Sequence, residues 1–126
     1  MNVIDNGIAS KIKKDINTVI GRQIMLLRKS QGLSGRLLAK KLGVSQQQIS
    51  RYERGNCKID IDNLILLLIH MDISLDVFFQ RVFNDLRDNE PYSCELCSPA
   101  FKFESMADDY QSYYLVKANL NAIRFG

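Results

Sequence analysis

The sequence predicts an all-α fold: five helices in a first domain and one further helix towards the C-terminus. Three observations support this. Apolar residues recur at three- and four-residue steps along most of the chain, the spacing of one helix face. The turn formers are few, with 7 Gly and 2 Pro in 126 residues, and they cluster at a handful of breaks. Strict apolar/polar alternation, which would mark half-buried strands, is scarce.

Residues 1–14 read as an N-terminal arm. A first helix is expected from about Asp15 to Ser30, with Ile16, Ile20, Ile24 and Leu27 along one face. Gln31-Gly32 ends it, with Gly32 free to take a left-handed cap. Ser34 is placed to cap a short second helix, Gly35 to Leu42, which Gly43 stops. Ser45 caps a third helix, Gln46 to about Arg54, closed by Gly55. Asp60 or Asp62 opens a fourth through Met71. Ser74 opens a fifth that carries Leu75, Phe78, Phe79, Val82, Phe83 and Leu86. Residues 15–87 thus form one domain. In residues 88–126 a connecting segment holding Pro91 and Pro99 leads to a last helix, from a Ser105 cap to about Ile123.

A chain of 126 residues, 46% hydrophobic and 25% charged, has the size and composition of one globular domain. Its longest apolar run, Leu64 to Ile69, has six residues, where a bilayer span needs about 20. The N-terminus mixes Asn2, Asp5 and Asn6 with Val3 and Ile4, unlike a secretory signal. Three cysteines, Cys57, Cys94 and Cys97, are an odd number for a secreted disulfide framework. These features predict a cytoplasmic protein. The net charge of +3 is unevenly spread. Residues 11–58 hold twelve Lys or Arg against Asp15 and Glu53 alone, whereas residues 80–126 hold five basic and seven acidic residues. Positive charge concentrated in one segment suits a polyanion such as DNA.

The informative stretch is Gly35 to Arg54. Two short helices crossing steeply need a small side chain where they touch, and Ala39 supplies it. The sharp turn between them needs positive φ, which Gly43 tolerates. Leu38, Leu42, Val44, Ile49 and Tyr52 are the positions that would form the core of such a unit. The run LSGRLLAKKLGVSQQQISRYERG, Leu33 to Gly55, resembles the helix-turn-helix of the phage-repressor superfamily, the Cro/C1 or Xre type. The resemblance extends from about Thr18 to Phe79. IGRQIMLLRKSQGLS matches that family's first helix, and DNLILLLIHMDISLDVFF its fourth and fifth. It implies a five-helix DNA-binding domain whose third helix enters the major groove and touches base edges with its N-terminal residues.

On that reading Gln46, Gln47 and Arg51 are the first candidates for base contact, with Gln48 and Ser50 beside them. Glutamine can pair in bidentate fashion with adenine, and arginine with guanine. Ser34 and Ser45 sit at helix N-termini, where backbone amides attract phosphate. Arg36, Arg54, Asn56 and Lys58 flank the reading helix as further phosphate ligands. Of Lys40 and Lys41, at least one is expected to face away from the duplex. The resemblance also implies an ion pair between Arg28 and Glu53, which would keep the carboxylate off the phosphates. One departure stands out: many relatives have a bracing glutamine just after the Ser34 position, where this chain has Gly35.

The implied partner is double-stranded DNA with a palindromic operator, bound by a homodimer that acts as a regulator, most simply a repressor. The dimer contact is expected either in the aromatic C-terminal segment (Tyr110, Tyr113, Tyr114, Phe125) or at Phe78, Phe79 and Phe83. The run SQQQISRYERG is similar to regulators encoded within bacterial fimbrial operons, which implies control of fimbrial and motility genes. No enzyme, cofactor, metal or small-molecule ligand is predicted. Cys94-Glu95-Leu96-Cys97 is a lone CxxC, and a structural zinc site needs two more ligands than it supplies. His70 reads as a core-edge or surface histidine. The competing function is an antitoxin-like protein-interaction module that touches DNA incidentally.

Overall fold

A computed structural model of the chain describes residues 5–97. The chain divides into two units, Met1–Cys94 and Glu95–Gly126. Six helices occur among the described residues: α1 (Asn6–Ser30), α2 (Gly35–Leu42), α3 (Gln46–Glu53), α4 (Ile61–His70), α5 (Leu75–Asn89) and α6 (Pro91–Cys97). No strand occurs among them. The all-α expectation holds, and α2 and α3 occupy the expected segments.

Two boundaries differ from the sequence reading. Residues 6–14, expected as an arm, are the first turns of α1. Asp5 caps this helix by accepting a hydrogen bond from the Ile8 amide at 2.8 Å. The Lys-rich segment is its outer face, where Lys11 Nζ reaches Asp15 Oδ2 at 2.7 Å one turn on. The start of the expected connecting segment is also helical. α5 runs to Asn89, and Pro91 opens α6 at the first helical position, where a missing N–H costs nothing. Ser93 Oγ donates to the buried Asp15 Oδ2 at 2.6 Å, which fixes the start of α6 on α1. The last predicted helix, from Ser105 to Ile123, lies outside the described residues.

The core gathers Val19 and Ile24 of α1, Leu38 of α2, Ile49 of α3, Leu67 and Leu68 of α4, Met71 and Phe78, all essentially solvent-free. α1 packs against both α3 and α5, α2 against α3 and α4, and α4 against α5. Because α1 is gripped from two sides, its buried face is wider than one stripe. Val19 takes the centre, while the expected Ile20 and Leu27 pack at the edge.

Polar groups cross-link α1 and α5. Arg22 donates from Nε and Nη2 to both oxygens of Asp85, at 2.9 and 2.8 Å. Gln23 Nε2 and Asn89 Nδ2 each add a bond to that carboxylate at 2.8 Å. Arg81 Nε donates to Gln23 Oε1 at 2.9 Å. Among the described residues no buried side-chain nitrogen or oxygen lacks a partner, so this network meets the demand that burial places on it.

Candidate nucleic-acid interface

The α2–turn–α3 unit is built by local chemistry. Ser34 Oγ accepts from the Leu37 amide at 3.0 Å, and Ser45 Oγ accepts from the Gln48 amide at 3.1 Å, so both helices start on a serine cap. Gly43 ends α2 at φ 74°, in the left-handed region that turns the chain sharply into α3. Leu38 and Ala39 are buried on α2, as are Ile49 and Tyr52 on α3. The opposite face of α3 is thereby left to solvent.

The C-terminal end of α3 is clamped to α1. A Cβ on Gly21 would lie 2.1 Å from the Tyr52 carbonyl oxygen, a distance no side chain tolerates. At Gly55, φ is 71°, and a Cβ there would lie 2.7 Å from Thr18 Cα. The two backbones therefore touch through glycine on each side. Arg28 completes the clamp. Its Nε and Nη2 donate to Glu53 Oε2 and Oε1 at 2.6 and 2.9 Å, and its Nη1 donates to the Leu33 carbonyl at 2.8 Å. The Glu53 hydrogen bond holds the Arg28 guanidinium pKa above its ordinary value, against burial. The expected Arg28–Glu53 pair is present in the structure.

The free face of α3 carries Gln46, Gln47 and Arg51 exposed and Ser50 half-buried. Gln47, Ser50, Arg51 and Arg54 line one shallow depression of about 320 Å³. Arg36 lies exposed on the first turn of α2. Asn56 and Lys58 are exposed on the loop that leaves α3. Neither group joins the depression. Between Ser34 and Ile59 the single acidic residue is Glu53, and Arg28 neutralises it. None of Arg36, Arg51, Arg54 or Lys58 makes an ion pair among the described residues, so their charge is uncompensated.

Gln48 sits differently from its two neighbours. It is half-buried, and its Nε2 donates to Cys57 Sγ at 3.3 Å. Sequence reasoning missed this contact, and it missed the close approach at Gly21. A glycine inside an otherwise regular helical pattern was the available signal for the second. The Gly35 departure also has a structural meaning: a Cβ there would touch Ile49 Cγ2 at 4.0 Å. Position 35 therefore adjoins the third helix, and glycine leaves that brace unmade.

Among the described residues no group of three or more His, Cys, Asp or Glu side chains gathers as a metal site. No helix among them is long and apolar enough to cross a membrane.

A family model described as helix-turn-helix matches residues 24–78, from the middle of α1 into α5. An uncharacterised transcriptional regulator encoded in the ATPase CF(0) region of Rhodospirillum rubrum is 30% identical over 76 residues, which cover 60% of this chain and 67% of that protein. The chain belongs to the helix-turn-helix family of transcriptional regulators. The Cro/C1 (Xre) resemblance stands with it, and the family's members are regulators rather than enzymes. Uncharacterised helix-turn-helix-type regulators of Rickettsia conorii and Rickettsia prowazekii are each 34% identical over 74 residues. The chain spans 59% and 57% of their respective lengths. Among solved structures, the clp gene regulator ClgR of Corynebacterium glutamicum superposes with a TM-score of 0.55 at 20% identity, over 56% of this chain and 92% of that one. A restriction-modification controller protein superposes with a TM-score of 0.56 at 23% identity, over 60% of this chain and 97% of the other. These two show that the helix-turn-helix chain has the fold of known regulators.

Proposed function

We propose that the chain is a sequence-specific, double-stranded-DNA-binding regulator. In this reading it acts in the cytoplasm as a homodimeric repressor on a palindromic operator, with α3 in the major groove. The observation that carries the reading is the two-sidedness of α3. One side is locked into the core and onto α1, and the other presents Gln46, Gln47 and Arg51, while Arg28 engages the Glu53 carboxylate at the end of the helix.

The division of labour follows from chemistry. Gln46, Gln47 and Arg51 read base edges by paired hydrogen bonds, each good pair discriminating by about 1–3 kcal/mol. Ser50 adds a shorter contact. Gln48 serves the interface by releasing or keeping its bond to Cys57. Ser34 and Ser45 offer the amide-rich starts of α2 and α3 to phosphates. Arg36, Arg54, Asn56 and Lys58 hold the backbone without reading sequence. The SQQQISRYERG resemblance makes fimbrial and motility promoters the first candidates.

The test is selection of bound fragments from random DNA, followed by titrations of two variants on the selected site and on random DNA. Gln47→Ala is expected to lose about 1–3 kcal/mol on the selected site while holding its affinity for random DNA. Lys58→Ala is expected to weaken both alike and to lower the salt slope by about 1. Equal loss on both DNAs for Gln47→Ala refutes the assignment of reading residues. No enriched sequence at all refutes the function.

A further inference from the structure

We propose that Cys57 is a positioning residue for base recognition: it holds the Gln48 carboxamide in place, so that Gln48 meets the duplex as a preset reader of adenine. The inference rests on the DNA-binding reading and deepens it, since that reading leaves open whether the bond between the two residues is kept or released.

The pair is made by the way the chain leaves α3. Gly55 takes φ 71°, and the Asn56 amide donates to the Arg51 carbonyl at 3.0 Å, which turns the chain back along the helix. Cys57 is thereby set beside Gln48, nine residues earlier, and Gln48 Nε2 donates to its Sγ at 3.3 Å. Cys57 is half-buried and packs against the core, so the sulfur is a fixed anchor. The backbone of Gln48 is fixed as well, because its amide donates to Ser45 Oγ at 3.1 Å. Gln48 is therefore pinned at both ends, in the first turn of α3, which is the end of a reading helix that touches base edges.

Gln46 and Gln47 differ. They are exposed, and their side chains make no hydrogen bond among the described residues. A glutamine that grips a base must freeze its side-chain torsions, and the lost rotamer freedom opposes binding. Gln46 and Gln47 lose that freedom at the DNA, whereas Gln48 has lost it on folding. A thiol sulfur accepts only weakly, and α3 is already held by buried Ile49 and Tyr52 and by its clamp on α1. The bond thus orients an amide more than it supports the fold. Gln48 Oε1 has no partner among the described residues, and no buried side-chain oxygen among them lacks one, so Oε1 reaches solvent. The amide keeps Oε1 and one N–H to offer. Adenine presents a donor, N6–H, and an acceptor, N7, that suit the two.

The test uses the full chain, isotope-labelled, with the Gln48 side-chain amide signals identified by their loss in Gln48→Ala. Without DNA, Cys57→Ala is expected to shift those signals. Cys57→Ser keeps an acceptor and should leave them closer to wild type. Fragments are then selected from random DNA with each protein. Cys57→Ala is expected to lower discrimination for adenine at one position of the site by about two- to tenfold, with affinity for random DNA unchanged. Cys57→Ser should retain most of that discrimination, and Cys57→Ala should change nothing further on a Gln48→Ala background. Amide signals indifferent to Cys57→Ala overturn the proposal. So does an adenine preference that Cys57→Ala leaves intact, or an effect of Cys57→Ala that persists without Gln48. Each of these outcomes leaves the sequence preference of the wild type standing, and with it the DNA-binding reading. A wild type that enriches no sequence removes both.

Discussion

On the proposed DNA-binding reading, Glu53 serves the interface by being held away from the duplex. A free carboxylate at the end of α3 would repel phosphate, and Arg28 engages both of its oxygens. The pair is largely enclosed, with side chains 13% and 9% exposed. Removing one partner therefore strands a charge. Glu53→Ala is expected to lower unfolding stability by about 3 kcal/mol, the low end for a broken buried pair because Arg28 keeps the Leu33 carbonyl. Urea unfolding measures it, and an unchanged midpoint would show that the clamp adds nothing. This pair was legible through the family resemblance. The Gln48–Cys57 contact was not, since nothing in the spacing of two residues nine apart says that a loop folds back onto the helix.

At the scale of elements, the position of α3 depends on close backbone contact with α1 as well as on the buried side chains of Ile49 and Tyr52. Gly21 stands in mid-helix, where alanine would ordinarily gain about 1 kcal/mol of helix propensity. Here the steric cost wins, because the clashing atom is the Tyr52 carbonyl oxygen and neither backbone can yield cheaply. Gly21→Ala is expected to cost about 3 kcal/mol or more, a fall in melting temperature above roughly 10 °C for a domain of this size. A melting temperature equal to wild type would mean that α1 and α3 are less closely joined than their geometry states. The existence of α2 and α3 was readable from Ser34, Gly43 and Ser45, since caps are local events. The true start of α1 was obscured because lysines on a solvated helix face resemble a polar arm. α6 was obscured because a proline at the first helical position looks like a breaker.

Taken whole, the molecule joins its first and fifth helices by buried charge, and this makes its stability pH-dependent. The Arg22 hydrogen bond holds the Asp85 carboxyl below its ordinary value of 3.8; burial opposes this, and Gln23 and Asn89 reinforce it. For Asp15 burial is the largest influence and acts upward, but the bonds from Lys11 and Ser93 bring the net shift down. A carboxyl depressed in the folded state stabilises fully above its unfolded pKa, and that stability is lost as pH falls through the folded one. Stability should therefore hold from neutral down to about pH 4 and decline below it. Asp85→Asn should reduce stability at neutral pH and flatten the acid limb. A variant with the wild-type slope below that point would assign the acid sensitivity elsewhere.

By itself the sequence determined what depends on neighbours a few residues apart: helices α2 to α5, the serine caps of α2 and α3, the left-handed turn at Gly43 and the basic character of residues 11–58. It also carried the family, because the helix-turn-helix packs its small and apolar positions within one short stretch. Only the tertiary structure decided which glycine lets two backbones meet, which carboxylates are neutralised, and which side of α4 the other described helices cover. Those outcomes join residues distant along the chain, such as Arg22 with Asp85 and Thr18 with Gly55. Periodicity records that a face is apolar. It does not record which element covers that face, or whether any element does.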